Sequence, residues 1–256
     1  MGDDAMHKEN DGSVSEVSSE IHNATVKKAA ENLFKILVNA NVKKFIEQVN
    51  NADSNVINYL LVMEHRCVET PLHIAAQNFS DEDFLALMNK ASPEAVGKAL
   101  VKQNKYDRTP LHTGAYHLSE EAFIALIEKV NVKALSDVLV IQDCRGETPL
   151  HSAAVGRTDE AFMALIKKVD KDALSDALVV NDRLTPLHIA ALNLSDEGCL
   201  ALIEKASPEA VGKGLVIQSK FHSTPLHMAA TRSSPDVFMA LIEKVDQDAL
   251  SKALVI

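Results

Sequence analysis

The sequence predicts an all-α solenoid of tandem helical units, and three observations carry that prediction. The string Thr-Pro-Leu-His recurs five times, at 70–73, 109–112, 148–151, 185–188 and 224–227. The spacings are 39, 39, 37 and 39 residues, a fixed period of the length that stacked supersecondary units take. Each period repeats its helix-capping residues and its apolar positions in the same places. The composition fits a packed chain, with 46% hydrophobic and 24% charged residues over 256 positions.

In chain order, residues 1–25 read as a disordered acidic tail, rich in Ser and poor in apolar residues. Residues 1–24 hold Asp3, Asp4, Glu9, Asp11, Glu16 and Glu20 against Lys8. Residues 26–69 read as a degenerate N-terminal capping unit. Stepping back one period places Leu33 under Leu72, Phe45 under Phe84 and Leu61 under Leu100, although the Thr-Pro-Leu-His letters are lost except for Leu33. A solenoid requires such an atypical terminal unit. Five units follow, at 70–108, 109–147, 148–184, 185–223 and 224–256. The short third unit has lost its residues between Val180 and Thr185, in a connecting loop where length varies freely.

Each unit reads as three helices. Helix A opens with Thr at its N-cap and Pro at its first position, as at Thr70-Pro71. It is expected to stop near Asn78, Gly156 or Asn193, residues that tolerate a left-handed end. Helix B opens at Ser80, Ser119, Thr158 or Ser195, each a capping hydroxyl followed by acids that suit the positive end of the helix dipole. Its apolar residues, Phe84, Leu85, Leu87 and Met88 in the first unit, spread wider than one stripe, as a helix between two neighbours requires. Helix C is short. Ser92 and Ser207 cap it in two units, and Asp170 and Asp246 are the candidates in two others.

A longer echo overlies the period. The nine residues from Lys90 to Lys98 return at Lys205 to Lys213, 115 residues on. Units four and five resemble one and two, so a three-unit block reads as duplicated, and a further unit resembling the third is expected after Ile256. The helix B residues of the last unit, Phe238, Leu241 and Ile242, match those of internal units with no polar cap. The expectation is therefore a fragment of a longer protein, with self-association through the uncapped C-terminal repeat as the other reading.

Charge and composition exclude several functions. The formal net charge is −10, whereas a nucleic-acid partner calls for a basic footprint. Trp is absent and aromatics are 4%, which argues against stacking platforms. No apolar run approaches the ~18 residues of a membrane span. Cys67, Cys144 and Cys199 are odd in number and far apart, which points to a reduced compartment. With no signal peptide in view, the sequons at Asn23, Asn78 and Asn193 read as chance or turn chemistry. The localisation expected is cytoplasmic, or secreted into a host cell without a classical signal peptide.

Thr-Pro-Leu-His-x-Ala at the start of a helix–turn–helix unit resembles the ankyrin repeat, and Gln142 to Glu147 resembles the loop that precedes each such unit. The predicted fold is thus an ankyrin-like solenoid with an extra short helix per repeat. It departs from the usual period of ~33 residues through helix C, placed after helix B. The Gly at the family's A–B turn is replaced by Phe79, Leu118, Arg157, Leu194 and Ser233. The resemblance implies that the motif histidines tie loops together rather than bind metal. It also implies that a protein partner binds the concave face, made of loop tips and exposed helix A positions. Carried over, the loop positions are Lys105, Tyr106, Arg108, Cys144, Arg145, Glu147, Arg183, Lys220, Phe221 and His222. The helix A positions are Gln77, Tyr116, His117, Val155, Leu192, Thr231 and Arg232. These vary between units while the scaffold letters stay fixed.

Tyr and Arg favour interface hot spots, and a basic rim on an acidic body suits a partner with an acidic surface. No Gly-rich phosphate loop, nucleophile elbow, HExxH or CxxC is present. The expectation is a protein–protein interaction scaffold with no catalysis, cofactor or metal of its own. The units are similar to ankyrin effectors of intracellular bacteria. Two further readings stay open: the targeting region of a larger effector enzyme whose catalytic domain lies outside this chain, and a structural spacer.

Overall fold

The computed structural model describes residues 11–63, 69–156, 158–180, 184–232 and 234–255. Eighteen helices and no strands occur among them, in six groups of three. The first group is α1 (Asp11–Val38), α2 (Val42–Asn51) and α3 (Ser54–Val62). The second is α4 (Pro71–Asn78), α5 (Asp81–Lys90) and α6 (Pro93–Leu100), followed by α7 (Pro110–His117), α8 (Glu120–Lys129) and α9 (Val132–Leu139). Then come α10 (Pro149–Gly156), α11 (Asp159–Lys168) and α12 (Lys171–Leu178), and α13 (Pro186–Asn193), α14 (Asp196–Lys205) and α15 (Pro208–Leu215). The last group is α16 (Pro225–Arg232), α17 (Pro235–Lys244) and α18 (Gln247–Val255). The architecture is an all-α, ankyrin-like repeat solenoid.

Local chemistry fixes the helix starts. Ser80 accepts a hydrogen bond from the Asp83 N–H (3.2 Å), and Ser92 accepts one from Ala95 (3.2 Å). Asn131, Asp170 and Asp246 do the same for α9, α12 and α18. The helix ends differ from the expectation. Helix A does not stop in a left-handed residue: Phe79, Leu118 and Leu194 are extended, and positive φ occurs, among the described residues, only at Ala40, Asp107, Gly146 and His222. The reason is the length of the link. The residue after the helix is followed at once by the N-cap of helix B, which itself needs an extended backbone, so no glycine is called for. Residues 11–25, expected within a disordered tail, belong to α1, because no proline and no glycine after Gly12 interrupts the helix that continues to Val38. The first ten residues lie outside the described ones.

Helices of one kind stack on one another along the solenoid, giving columns of A, B and C helices. In the first group α1 replaces helix A and packs chiefly on α3, burying Leu33, Phe34 and Leu37. The B column buries Phe45, Phe84, Phe123 and Phe162 in succession, and Cys199 takes the next step. Polar ladders join the units at fixed places. In the B column, Lys90 donates to the Asn50 carbonyl (2.9 Å), Lys168 to Glu128 (2.8 Å), Lys205 to Lys167 (2.7 Å) and Lys244 to Glu204 (2.8 Å). Each ammonium thereby meets the carbonyl-rich end of the preceding helix. In the C column, Asn58, Ser136 and Ser175 accept the N–H of Ser92 (2.7 Å), Asp170 (3.1 Å) and Ser207 (3.0 Å). At the start of helix B, Asp159 accepts from Ser195 (3.2 Å), Asp196 from Ser234 (3.1 Å), and Glu120 from the Thr158 hydroxyl. The carboxylates that sequence reading assigned to dipole compensation also hold neighbours together.

Candidate interaction surface

The loops that lead into α7, α10 and α16 share one backbone design. Asn104 N–H donates to the Arg108 carbonyl (2.9 Å), and Asp107 N–H donates back to Asn104 (2.9 Å). Asp143 with Glu147 and Gly146, and Ser219 with Ser223 and His222, repeat both bonds. The last turn residue is left-handed each time: Asp107 at φ 57°, Gly146 at 77° and His222 at 57°. The side-chain oxygen of the first residue braces the turn. Asn104 Oδ1 accepts from Tyr106 (2.9 Å) and Arg108 (3.1 Å), and Asp143 Oδ1 from Arg145 (2.8 Å) and Glu147 (3.0 Å). Ser219 Oγ accepts from Phe221 (3.2 Å) and Ser223 (3.3 Å). Such self-bonding by Asn, Asp and Ser fixes a tight turn. Sequence reading missed these three residues. The signal was there, since each is the short polar residue five places before a motif Thr.

Below the loops runs the histidine column. Nδ1 of His112 accepts from the Thr109 N–H (3.0 Å), so the ring proton is on Nε2, which donates to the Glu147 carbonyl in the loop that leads into the next unit (3.0 Å). His151 and His188 repeat this toward the Leu184 (2.9 Å) and Ser223 (3.0 Å) carbonyls. In His73, Nδ1 meets the Thr70 hydroxyl (2.7 Å) and Nε2 donates to Arg108 (2.8 Å). Both nitrogens are thus engaged in holding each loop onto the helix A beneath it. Burial holds His112 and His151 down to about 4, and lowers His73 and His188 as well. No group of three His, Cys, Asp or Glu capable of holding a metal ion occurs among the described residues.

The structure brings the residues carried over from the sequence into two groups. The loops that lead into α7 and α10 lie together, because Cys144 N–H donates to the Tyr106 carbonyl (3.0 Å) and Gln103 Nε2 to the Gln142 carbonyl (3.1 Å). Lys105 lies over the Tyr106 ring (4.7 Å), and Tyr106 is 50% exposed. Arg108 spans the gap: its guanidinium pairs with the buried Asp143 carboxylate (3.2 Å) and lies over the Tyr116 ring (5.7 Å). Burial pulls the Asp143 carboxyl up, but the N–H groups of Arg145 and Glu147 and the Arg108 guanidinium outweigh it and hold it below the ordinary range. Arg108 is therefore half-buried and held by Asp143, while Lys105, Cys144 and Arg145 are exposed. Glu147 is half-buried, and burial followed by the Asp143 charge raises its carboxyl.

The second group lies three units along. There Lys220 lies over the Phe221 ring (4.9 Å), Phe221 is 74% exposed, and His222 is exposed beside it. Between the groups, the helix A positions Tyr116, His117 and Val155 are exposed and Leu192 is half-buried. Gln77, Thr231 and Arg232 are exposed at the two ends of the row. Arg183 and Cys67 lie outside the described residues. Cys199 is buried, and its thiol is pushed up to about 12, by burial first and then by Asp196 and Asp159.

Tandem three-helix units, a column of ring-bonded histidines and rigid loops with exposed aromatic tips define a helical repeat scaffold. Residues 131–211, from α9 through the first half of α15, match the family model for ankyrin repeats in three copies. Those residues thus carry ankyrin repeats, which are a protein–protein interaction module. No curated protein matches it. No helix among the described residues is long and apolar enough to cross a membrane.

Proposed function

We propose that this chain recognises a protein partner through the face made by its loop tips and the outward residues of helix A. The observation that supports this reading is the pair of lysine-covered aromatics, Lys105 with Tyr106 and Lys220 with Phe221. A large apolar ring left in water on a braced turn costs little conformational entropy to dock. Aromatic and basic residues side by side suit a partner whose acidic groups flank an apolar pocket. Lys105, Arg145 and Lys220 supply the positive charge, and Tyr116, Val155 and Leu192 supply apolar ground between. A bacterial effector acting on a host protein is the setting this reading favours, on the similarity of the units alone.

The test is affinity capture from eukaryotic cell lysate, with the native chain beside a variant carrying Tyr106→Ala, Arg145→Ala and Phe221→Ala. A protein held by the native chain, lost by the variant and released as salt is raised is the expected result. Equal capture by both chains would remove the loop tips from the binding face.

A further inference from the structure

The outer face of the last unit carries most of the gripping groups that internal units use on their successors. Leu100, Leu139, Leu178 and Leu215 end helix C in units that have a successor and are fully buried, whereas the equivalent Leu254 is 63% exposed. Met239 is 47% exposed, whereas Ile124, Met163 and Leu200 at the same step of helix B are half-buried. The polar handles are in place as well. His227 holds its Nδ1 against the Thr224 N–H (3.3 Å) as the column histidines do, yet its ring is exposed and no carbonyl among the described residues meets its Nε2. Ser251 donates to its own helix at Gln247 (2.7 Å), as Ser175 donates to Lys171 (2.7 Å) while accepting from the next unit's Ser207 (3.0 Å). The Glu243 carbonyl stands where Glu128, Lys167 and Glu204 each receive a lysine from the unit that follows. One handle is missing: Pro235 stands in the place of Asp159 and Asp196.

We infer that this face is a docking surface for a further helical unit of the same repeat. The unit would bring a loop carbonyl to His227, a helix C N–H to Ser251, a helix B lysine to the Glu243 carbonyl, and an apolar helix C to Leu254. The opposite end of a second copy does not offer this set. Asn51 stands in its first unit where the later units place the bonding lysine, and α1 lacks the Thr-Pro-Leu-His start. Two outer faces meeting each other would set His227 donors together without loop carbonyls.

The experiment extends the chain after Ile256 with a second copy of residues 142–180, which supplies a loop and a three-helix unit in register. The native chain, the extended chain and the Leu254→Glu variant of each are compared by thermal unfolding and by NMR of the His227 imidazole. The expected result is a midpoint several degrees higher on extension, a His227 Nε2–H signal protected from exchange with solvent that the native chain lacks, and loss of both in extended Leu254→Glu. Native-length Leu254→Glu unfolds as the native chain does, because Leu254 faces water there. An unchanged midpoint on extension would overturn the inference. So would a dimer of the native chain, seen by sedimentation, that Leu254→Glu dissolves, since a second copy would then occupy the face.

Discussion

A buried histidine whose Nδ1 faces a backbone N–H has no room for a second proton. Protonating His112 would set an N–H donor against the Thr109 N–H and place a charge in an apolar column. The folded pKa of His112 and His151 is about 4, against 6.5 in an unfolded chain, and His73 and His188 are displaced in the same direction. The unfolded chain therefore binds more protons than the folded one between about pH 6.5 and pH 4. Stability held above pH 6.5 is lost as pH falls through that window, on the order of 3 kcal/mol for each of His112 and His151. Thermal unfolding followed by circular dichroism is expected to show a midpoint that is flat above pH 7 and drops steeply from pH 6.5 toward 4. His112→Gln flattens that slope, because its amide titrates nowhere in the window. A midpoint independent of pH between 7 and 5 would contradict the tautomer assigned here.

Between elements, the close approach of neighbouring A helices rests on small residues. At Gly156, the last residue of α10, a Cβ would lie 2.5 Å from the Ala115 carbonyl oxygen of α7, a distance that forces backbone apart. Gly156→Ala is expected to destabilise the chain by about 1–3 kcal/mol, read as a lower denaturation midpoint in urea, although alanine is the better helix former. A gain in stability would mean that α7 and α10 do not approach as described. This contact also marks the boundary of what the sequence discloses. Helix starts were legible, since Thr70-Pro71, Ser80 and Ser92 use side chains to cap their own helices. The Phe column was legible from the period. The helix A ends were not, because Gly156 and Asn193 invite a left-handed reading that the one-residue link to the next N-cap overrides. The pairing of Arg108 with Asp143 was also hidden: it joins residues 35 apart whose approach depends on how the loops stack. The exposed tips Tyr106 and Phe221 could be named from sequence, but that Arg108 is drawn down onto Asp143 could not.

Across the whole molecule, stability in a stack of units is a sum of unit terms and interfaces between neighbours. Units two and three have both faces covered, with Phe123 and Phe162 fully buried and their histidines bonded into the next loop. Unit five has one covered face, an exposed His227 and an exposed Leu254. The long helix α1 closes the other end by burying Leu33, Phe34 and Leu37, so the two ends are unequal. Opening of the chain should therefore begin at α18, α17 and α16 and travel inward. Native-state hydrogen exchange is expected to give the lowest protection in α16 to α18 and the highest in α7 to α12, with intermediate values in α2 and α3. Phe123→Ala should cost about 3–5 kcal/mol and lower protection in the units on both sides of it. An equivalent lesion at Phe238, half-buried in α17, should cost less and leave α7 to α12 unchanged. Uniform protection from α2 to α18 would instead mean that the solenoid opens as one cooperative body, and that the open face of unit five is stabilised by contacts other than those its own residues make.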